Sequence, residues 1–518
     1  MADLSLQAQQ IIDEGSGRWR SIIIQVGSQD ETTNRLMRMA AEVHQRRNMC
    51  SSARDLLPAR QEKMEKIRAL ASKRLNRRNS FSSEQASFST QIGSDAYLFD
   101  RSTVQAARLE AINAIFQNEF VLKSLAASNT PHTKSVMDSE QSPARFWSSQ
   151  SVALTMDTDD LHRLSQSSTS QSSIRGIYPN RPLRIPRLIE AKSLPQAILE
   201  ERASSWGVSR IGALSTWGAY GARGKGIKVA LLDTGVDSTH PDLDGKISLW
   251  SEFDTEGKQV IDSVPHDTDQ HGTHCAGTIV GGNSSGAWIG VAPEADLLAA
   301  LVLNGDKGGT PAQVLAGMQW AIDNDVDVIS MSLGSLTLEV EAPGPYTEAL
   351  LTALLLGIPV VTAIGNEGSQ TTGSPGNDYF AFSVGATDFW DRPAGFSGGR
   401  THMLRQSAFL DPLDLPLVYS KPELSAPGVA IRSSITKGKW ASFNGTSMAA
   451  PHVAGAIALM LSATKIKEKV PREERAFLLQ DLLTGSVEEL GESGQDHRYG
   501  FGRVDILKAI GFAKQLGY

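Results

Sequence analysis

The sequence is poor in cysteine and in aromatic residues. Its 518 residues include two cysteines, Cys50 and Cys275, and aromatic side chains make up 6% of the chain. Two thiols cannot build a disulfide framework, so a reducing compartment is the simpler interpretation. Apolar residues make up 40% and charged residues 21%, which is typical of a soluble globular chain of two or three domains.

The sequence also lacks the signals of membrane insertion and export. No apolar run reaches the roughly 18 residues needed to span a bilayer. The N-terminus, MADLSLQAQQIIDEG, has neither the basic region nor the apolar run of a secretory signal. These absences predict a cytoplasmic protein without a membrane partner, and secretion by another route stays open.

The net charge of −7 conceals an uneven distribution along the chain. Residues 1–200 carry 26 Lys and Arg against 21 Asp and Glu, a net of +5. Residues 201–518 carry 24 against 36, a net of −12. Because the basic residues of the first part are interleaved with acidic ones, we expect no nucleic-acid partner. The opposite charges predict that the two parts attract each other.

From about Trp206 the sequence alternates between buried-strand and helix patterns. Apolar runs such as GIKVALLDTGVD, VDVISMSLG and IPVVTAIGNEG end in polar and glycine residues, and helical segments lie between them. This alternation predicts an α/β fold with a mainly parallel sheet flanked by helices. Ligands bind at the carboxyl edge of such sheets, which is where these polar residues gather.

Four polar residues of this half fit a single mechanism. Asp233 and Asn366 follow predicted strands, while His271 and Ser447 each begin a helix rich in small residues. Taken singly, they are ordinary turn, cap or structural residues. Taken together, they supply a hydroxyl nucleophile, an imidazole base, a carboxylate that orients the base and an amide donor for an oxyanion.

The strings that carry these residues, DTGVD, HGTHCAG, GNEG and GTSMAAPHVAG, resemble the subtilisin-like serine proteases, the subtilases. The resemblance covers about Trp206 to the C-terminus. It implies a serine endopeptidase with Asp233, His271 and Ser447 as the catalytic triad and Asn366 in the oxyanion hole. It also implies two substrate-binding segments, of which the first pairs with the substrate backbone and the second forms a wall of the specificity pocket. These are Ser332, Leu333 and Gly334, and Ala363, Ile364 and Gly365.

Several neighbouring residues have simpler interpretations. His274 and His452 are expected to be packed structural histidines, and Asp267 and Asp269 are expected to cap a loop. The run HDTDQHGTH lacks the HExxH spacing of a zinc protease, so no metal catalysis is predicted. Cys275 occupies the position of the cysteine in thiol-sensitive subtilases, and a small buried side chain is the favoured interpretation. Pro451 is expected in the first turns of its helix, where a missing donor costs least.

The resemblance also implies a calcium site, and one of its ligand positions is Asp242. The other side-chain ligand positions hold Arg202 and Ser284, and an arginine repels a cation. No cofactor is therefore predicted, although calcium remains an alternative. The segment from Gly398 to Ser420 is an insertion relative to the family, for which a partner or substrate contact is the only expectation.

The first part of the chain has the order strand, helix, insert, strand, helix, strand. It resembles the small α/β propeptide that folds and inhibits many subtilases, on the strings SIIIQV, ALTMDTDDLHRLSQ and IRGIYPN. We expect a propeptide-like domain at 1–190 with a helical insert at about 50–140, a linker with the processing region at 191–205, and the peptidase domain at 206–518. An unrelated partner-binding domain is the alternative for the first of these.

The sequence thus predicts a serine endopeptidase made as a self-inhibited zymogen and acting by limited intracellular proteolysis. Its partners would be a protein or peptide substrate and its own N-terminal domain as an intramolecular inhibitor. Two alternatives remain, a catalytically silent scaffold protein with this fold and a secreted degradative protease.

Overall fold

The computed structural model of the protein describes residues 4–14, 18–27, 37, 41, 101–128, 143–167, 173–183, 189–190, 203–337, 344–410 and 412–518. Much of the predicted helical insert and most of the predicted processing region lie outside these residues. The structure is therefore presented as a front half, up to residue 190, and a catalytic region from residue 203 onwards.

The front half contains a four-stranded antiparallel sheet with the strand order β2-β3-β1-β4. Its elements are α1 (Leu4–Asp13), β1 (Trp19–Val26), α2 (Arg101–Ile115), α3 (Glu119–Ser128), β2 (Ala144–Phe146), a 3-10 turn (Trp147–Ser149), β3 (Ser151–Asp157), α4 (Thr158–Gln166) and β4 (Ile174–Pro179). The predicted strands and the predicted helix after SVALTM are thus present.

Three consecutive isoleucines of β1 are fully buried because both faces of this sheet are covered. Ile22 and Ile24 point to one face, into a core that the front half builds with its own helices. Ile23 points to the other face and joins a core shared with the catalytic region. The front half therefore packs one face of its sheet on itself and the other on its neighbour.

The catalytic region is built on a seven-stranded sheet in the order β16-β13-β11-β9-β6-β8-β7, in which every neighbouring pair is parallel. Its strands are β6 (Lys228–Asp233), β7 (Ile247–Glu252), β8 (Asp296–Leu301), β9 (Val328–Met331), β11 (Val360–Ala363), β13 (Phe382–Thr387) and β16 (Leu424–Pro427). This confirms the predicted α/β fold with a mainly parallel sheet.

Helices and short strands surround this sheet. The helices are α5 (Trp206–Arg210), α6 (Ala213–Tyr220), α7 (His271–Val280), α8 (Pro311–Asp323), α9 (Thr347–Leu355), α10 (Thr446–Ala463), α11 (Ile466–Lys469), α12 (Arg472–Thr484) and α13 (Ile506–Gln515). The short strands are β5 (Ile189–Glu190), β10 (Ser335–Thr337), β12 (Thr372–Ser374), β14 (Arg400–Leu404), β15 (Leu417–Lys421), β17 (Ile431–Ile435) and β18 (Lys439–Asn444). The predicted insertion forms the hairpin of β14 and β15.

The two faces of the parallel sheet carry different helices. Helices α7 and α10 pack on one face, and α8 and α9 pack on the other. By length and composition alone α10 could cross a membrane, but 89% of that stretch is buried inside the protein. It is thus the central core helix of the catalytic region, and its N-terminus lies at the carboxyl edge of the sheet.

Candidate active site

A buried carboxylate and a buried imidazole meet at the carboxyl edge of the sheet. Asp233 is the last residue of β6 and His271 is the first of α7, and their Oδ1 and Nδ1 atoms lie 2.6 Å apart. The backbone N–H of Thr234 donates to the same carboxylate oxygen over 2.8 Å. Asp269 accepts the backbone N–H of His271 over 3.1 Å and so caps the start of α7. His271 is therefore held by its ring Nδ1 and by its backbone N–H.

Glycine is required where these two segments cross. Gly235 adopts a φ of +107°, and a Cβ there would lie 2.0 Å from the carbonyl oxygen of His266. A Cβ on Gly272 would lie 2.0 Å from the carbonyl oxygen of Gly235. The glycines that follow Asp233 and His271 in the motifs therefore let the two backbones approach closely enough for the side chains to pair.

Ser447 is the second residue of α10, and a proline shapes its surroundings. Pro451 lies in the first turns of the helix, as expected, but as the sixth helical residue it is past the positions whose N–H groups lack a helical acceptor, and an N–H there would bond the carbonyl oxygen of Ser447. Because proline lacks that N–H, the carbonyl is free for other donors. The hydroxyl of Ser332 donates to it over 2.9 Å and the thiol of Cys275 over 3.4 Å. The proline thus ties the serine to a neighbouring loop and to α7.

Cys275 lies next to the histidine and also contacts the backbone of the serine. Its Sγ lies 3.9 Å from Nδ1 of His271 and contacts the Ser447 carbonyl. The Ser447 hydroxyl donates to the carbonyl oxygen of Ser332 over 3.4 Å. Nε2 of His271 is buried and has no hydrogen-bond partner in the part of the chain that the structure describes. This nitrogen is free to accept a proton.

The electrostatics of the site favour a protonatable histidine beside a neutral thiol. Burial lowers the pKa of His271, but the interactions with Asp233 and Cys275 together outweigh burial and hold the pKa well above its usual value. Burial raises the pKa of Cys275 to about 11, so the thiol is uncharged near neutral pH. Asp233 is the larger of the two influences that raise the basicity of the imidazole.

The amide of Asn366 is oriented by the residue that precedes the serine. Its Oδ1 accepts the backbone N–H of Thr446 over 2.8 Å and the hydroxyl of Thr446 over 2.9 Å. With Oδ1 engaged, Nδ2 remains as the donor end, and it lies 3.4 Å from the position that a Cβ on Gly445 would take. The first N–H groups of α10 have no acceptor within the helix. The Asn366 amide and the first N–H groups of α10 therefore lie close to each other.

A pocket next to these donors is lined by some, but not all, residues of the two predicted substrate-binding segments. It is lined by Leu333, Gly334, Ser335, Leu336, Ala363, Gly365, Glu367 and Gly373. Ile364 does not line it: the residue is fully buried, and its backbone bonds Val384 and Gly373. Ser332 does not line it either, since its side chain holds the Ser447 carbonyl. The side chain of Ile364 therefore does not obstruct the pocket.

Four lining residues were missed in the sequence. Ser335 and Leu336 directly follow a predicted segment, and Glu367 directly follows Asn366 in the string GNEG, so adjacency could have found these three. Gly373 belongs to the short strand β12, and no local pattern marked it. Glu367 accepts the backbone N–H of Asn366 over 2.9 Å, so its carboxylate is fixed at the pocket.

The other polar side chains near the site make hydrogen bonds to nearby backbone and side-chain groups. Nε2 of His274 lies 2.9 Å from the Ile431 carbonyl, and Nδ1 of His452 lies 2.7 Å from that of Met448. Burial lowers the pKa of His274 to about 3 and that of His452 to about 4, so both stay neutral. Asp267 accepts hydrogen bonds from the side chain of Thr273 and from nearby backbone groups of the same loop.

The residues around Asp242 do not fit a calcium ion. The carboxylate is buried, and its Oδ2 accepts the indole N–H of Trp440 over 2.6 Å. Its Oδ1 accepts the backbone N–H of Ser284 over 2.6 Å. Both oxygens already face N–H donors, which occupy the directions in which a cation would have to lie. No step of the chemistry is assigned to a metal.

Two short segments after β4 contact the region of the site. Leu183 exchanges backbone hydrogen bonds with Gly309, and β5 pairs antiparallel with the end of β18, where Ile189 is opposite Asn444. Asn444 precedes Ser447 by three residues. The front half therefore reaches the catalytic region on both sides of the stretch 184–188, which lies outside the described residues.

Comparison with known proteins gives consistent matches. The Subtilase family model matches residues 224–502. The chain is 40% identical to an intracellular serine protease of Paenibacillus polymyxa over 259 residues, which is 49% of this chain and 72% of that protein. It is 35% identical to Subtilisin NAT of Bacillus subtilis subsp. natto over 321 residues, 60% of this chain and 73% of that protein. It is 34% identical to a subtilisin of Bacillus pumilus over 311 residues, 59% of this chain and 98% of that protein.

Proposed function

Because the chain belongs to the subtilase family and is a serine endopeptidase, we propose that it cleaves peptide bonds with Asp233, His271 and Ser447 and is made as a self-inhibited zymogen. The observation that carries the proposal is the buried hydrogen bond between Asp233 and His271, with Ser447 tied to the same helix through Cys275. The proposed products are two peptides, one with a new carboxylate and one with a new amine.

In the first step Nε2 of His271 takes the hydroxyl proton of Ser447 while Oγ bonds to the scissile carbonyl carbon. The carbonyl oxygen becomes an oxyanion, which the side-chain amide of Asn366 and the N–H of Ser447 stabilise. In the substrate-free structure the Ser447 hydroxyl donates to the Ser332 carbonyl, so it must break that hydrogen bond before its proton can pass to His271. Such catalytic hydrogen bonds commonly tighten only when substrate binds.

In the second step the histidinium returns its proton to the leaving nitrogen, and the C–N bond breaks to give an acyl-enzyme. A water molecule then attacks the ester carbon while His271 takes the water proton, and His271 returns that proton to Ser447 Oγ as the bond to the acyl carbon breaks. Asp233 keeps the proton on Nδ1 and stabilises the charged imidazole throughout. The substrate side chain before the cut would enter the pocket lined by Leu333 and Gly373.

Self-inhibition is supported by the contacts of the segment that follows β4. The backbone pairings of Leu183 with Gly309 and of Ile189 with Asn444 are of the kind that an extended peptide makes when it adds a strand to an exposed edge. We propose that this tail occupies the substrate cleft until it is cut. The net charges of +5 and −12 favour the docked state.

Intracellular action is proposed on the cysteine content and on one relative. The chain has two cysteines, and a 40% identical protein of Paenibacillus polymyxa is named an intracellular serine protease. Limited proteolysis of specific partners, rather than bulk degradation, would suit an enzyme that is held latent.

The deciding experiment compares the purified wild type with Ser447→Ala. The wild type should react with a fluorophosphonate, hydrolyse peptides, and show a new N-terminus between residues 180 and 205. The Ser447→Ala chain should stay whole, resist the label and retain less than about a millionth of the turnover. Turnover that is equal in both chains would refute the triad. A wild type that hydrolyses peptides fully while uncut would refute the zymogen.

A further inference from the structure

A buried charged cluster joins the front half to the catalytic region, away from the active site. Arg108 on α2 is fully buried, and its Nη2 lies 3.5 Å from Oε1 of Glu348 on α9. Its Nη1 donates to the hydroxyl of Thr352 over 2.8 Å. Arg175 on β4 places Nη1 3.4 Å from both oxygens of Glu348, which is 1% exposed. One carboxylate of the catalytic region thus faces two guanidinium groups of the front half.

The segment 398–420 supplies the other side of this cluster. Phe409 lies in the connection that links β14 to β15, and its side chain is buried. The guanidinium carbon of Arg175 lies 5.5 Å from the centre of its ring. The hairpin is fixed to the catalytic region by the hydroxyl of Tyr419, which donates to the Asn377 carbonyl over 2.9 Å. The hairpin whose connection carries Phe409 is therefore attached to the catalytic region.

The cluster combines the two segments by which this chain departs from the subtilases that it resembles. Helix α2 lies within the helical insert of the front half, and Phe409 lies within the insertion of the catalytic region. Within the described residues of these two segments, none lines the pocket or contacts Asp233, His271 or Ser447 through a side chain. Arg108 of the first segment contacts Glu348, Phe409 of the second contacts Arg175, and Glu348 and Arg175 contact each other. An explanation of one segment therefore has to include the other.

We propose that the insertion 398–420 and Glu348 form a recognition surface for the chain's own front half, to which α2 is the matching part. The surface deepens the proposed function, because it makes the catalytic region retain this front half and reject a propeptide without α2. The selectivity follows from burial: a front half without Arg108 would leave the buried Glu348 with one cation fewer, and incompletely paired buried charge is costly.

A second arginine of α2 provides a matched control. Arg101 lies 2.6 Å from Asp323 and 3.0 Å from Asp325, so it also pairs with carboxylates of the catalytic region. Its side chain is 27% exposed and those of its partners are 37% and 54% exposed, whereas Arg108 and Glu348 are buried. Exposed pairs contribute little to association, and buried pairs that lose one partner weaken it strongly.

The test uses the full chain carrying Ser447→Ala, so that retention is measured without any peptidase activity. A recognition sequence for a site-specific protease is placed in 191–202, the chain is cut there by that protease, and dissociation of the two fragments is followed after dilution. Glu348→Ala and Arg108→Ala should each speed dissociation by about a hundredfold or more. Phe409→Ala should speed it up to about tenfold, and Arg101→Ala less than about fivefold.

Coupling between the partners is tested by the double variant. Arg108→Ala combined with Glu348→Ala should speed dissociation by less than the product of the two single effects, because the pair is broken only once. A full product would show that the residues act separately, and it would overturn the proposal. Equal effects of Glu348→Ala and Arg101→Ala would overturn it as well.

Folding and the proposed function are separated from this result by two further measurements. The Glu348→Ala chain with Ser447 intact should, once processed, hydrolyse peptides with an unchanged kcat/KM, which shows a folded catalytic region. If Arg108→Ala unfolds the front half, as its circular dichroism would reveal, Glu348→Gln decides the question, since it keeps the side chain's shape and sits in the other half. A front half that is retained through Glu348 but does not inhibit would refute self-inhibition and leave the recognition surface intact.

Discussion

The active site and the joint between the two halves hold their buried charges in opposite ways. In the catalytic region Asp233 pairs with His271, and Lys421 pairs with Glu423 over 2.6 Å, so each charge has its partner nearby in the same region. At the joint, Glu348 of the catalytic region faces Arg108 and Arg175 of the front half. The comparison indicates that the buried pair proposed for catalysis lies within one region, whereas Glu348 has its cationic partners in the other.

Among the three predictions that test this comparison, the largest effect is expected for Asn366, the proposed oxyanion donor. Asn366→Ala should lower kcat by roughly a hundredfold to a thousandfold with little change in KM, because an amide that acts on the developing charge is lost. Steady-state kinetics of the processed enzyme provide the measurement. Retention of the front half after cutting should be unchanged in this variant. An effect on KM alone would contradict the role assigned to Asn366.

A second prediction concerns the pH dependence of the processed enzyme. The pKa of His271 is raised above 6.5 by Asp233, and the neutral imidazole is the active form, so kcat/KM should fall about tenfold per pH unit below that raised pKa. The contribution of His271 to the free energy of unfolding changes with pH in the opposite direction. It is complete below pH 6.5 and is lost as the pH rises through the raised pKa. A kinetic limb centred at or below pH 6.5 would contradict the raised pKa of His271.

The smallest effect is expected at Asp242. Trp440→Phe should lower the free energy of unfolding by about 1–3 kcal/mol, because a buried carboxylate oxygen loses its donor. Chelation of calcium should leave the melting temperature of the unmodified chain nearly unchanged, since N–H groups occupy the carboxylate. Thermal melts of both proteins with and without chelator provide the test, and a drop of tens of degrees in the unmodified chain would reveal a cation site.

The sequence alone determined the α/β class, the family and the enzyme class, and the structure and the comparisons confirm all three. The physical reason is that these features are local. Apolar runs of strand length followed by polar residues specify buried parallel strands and their carboxyl ends. Motifs of a few residues carry the chemical groups, and Asp233 and His271 are indeed adjacent at that edge. The roles of the site residues and the domain boundaries remain predictions.

Only the tertiary structure decided which residues meet across long separations. Whether Ile364 faces the pocket depends on how β11 pairs with its neighbours, and its own sequence neighbours do not encode that. The carbonyl freed by Pro451 is useful only because Ser332 comes to lie beside it. The same holds for Asp242 with Trp440 and for Arg108 with Glu348, which lie far apart in sequence. Such contacts depend on the mutual packing of several elements, so a short stretch of sequence cannot specify them.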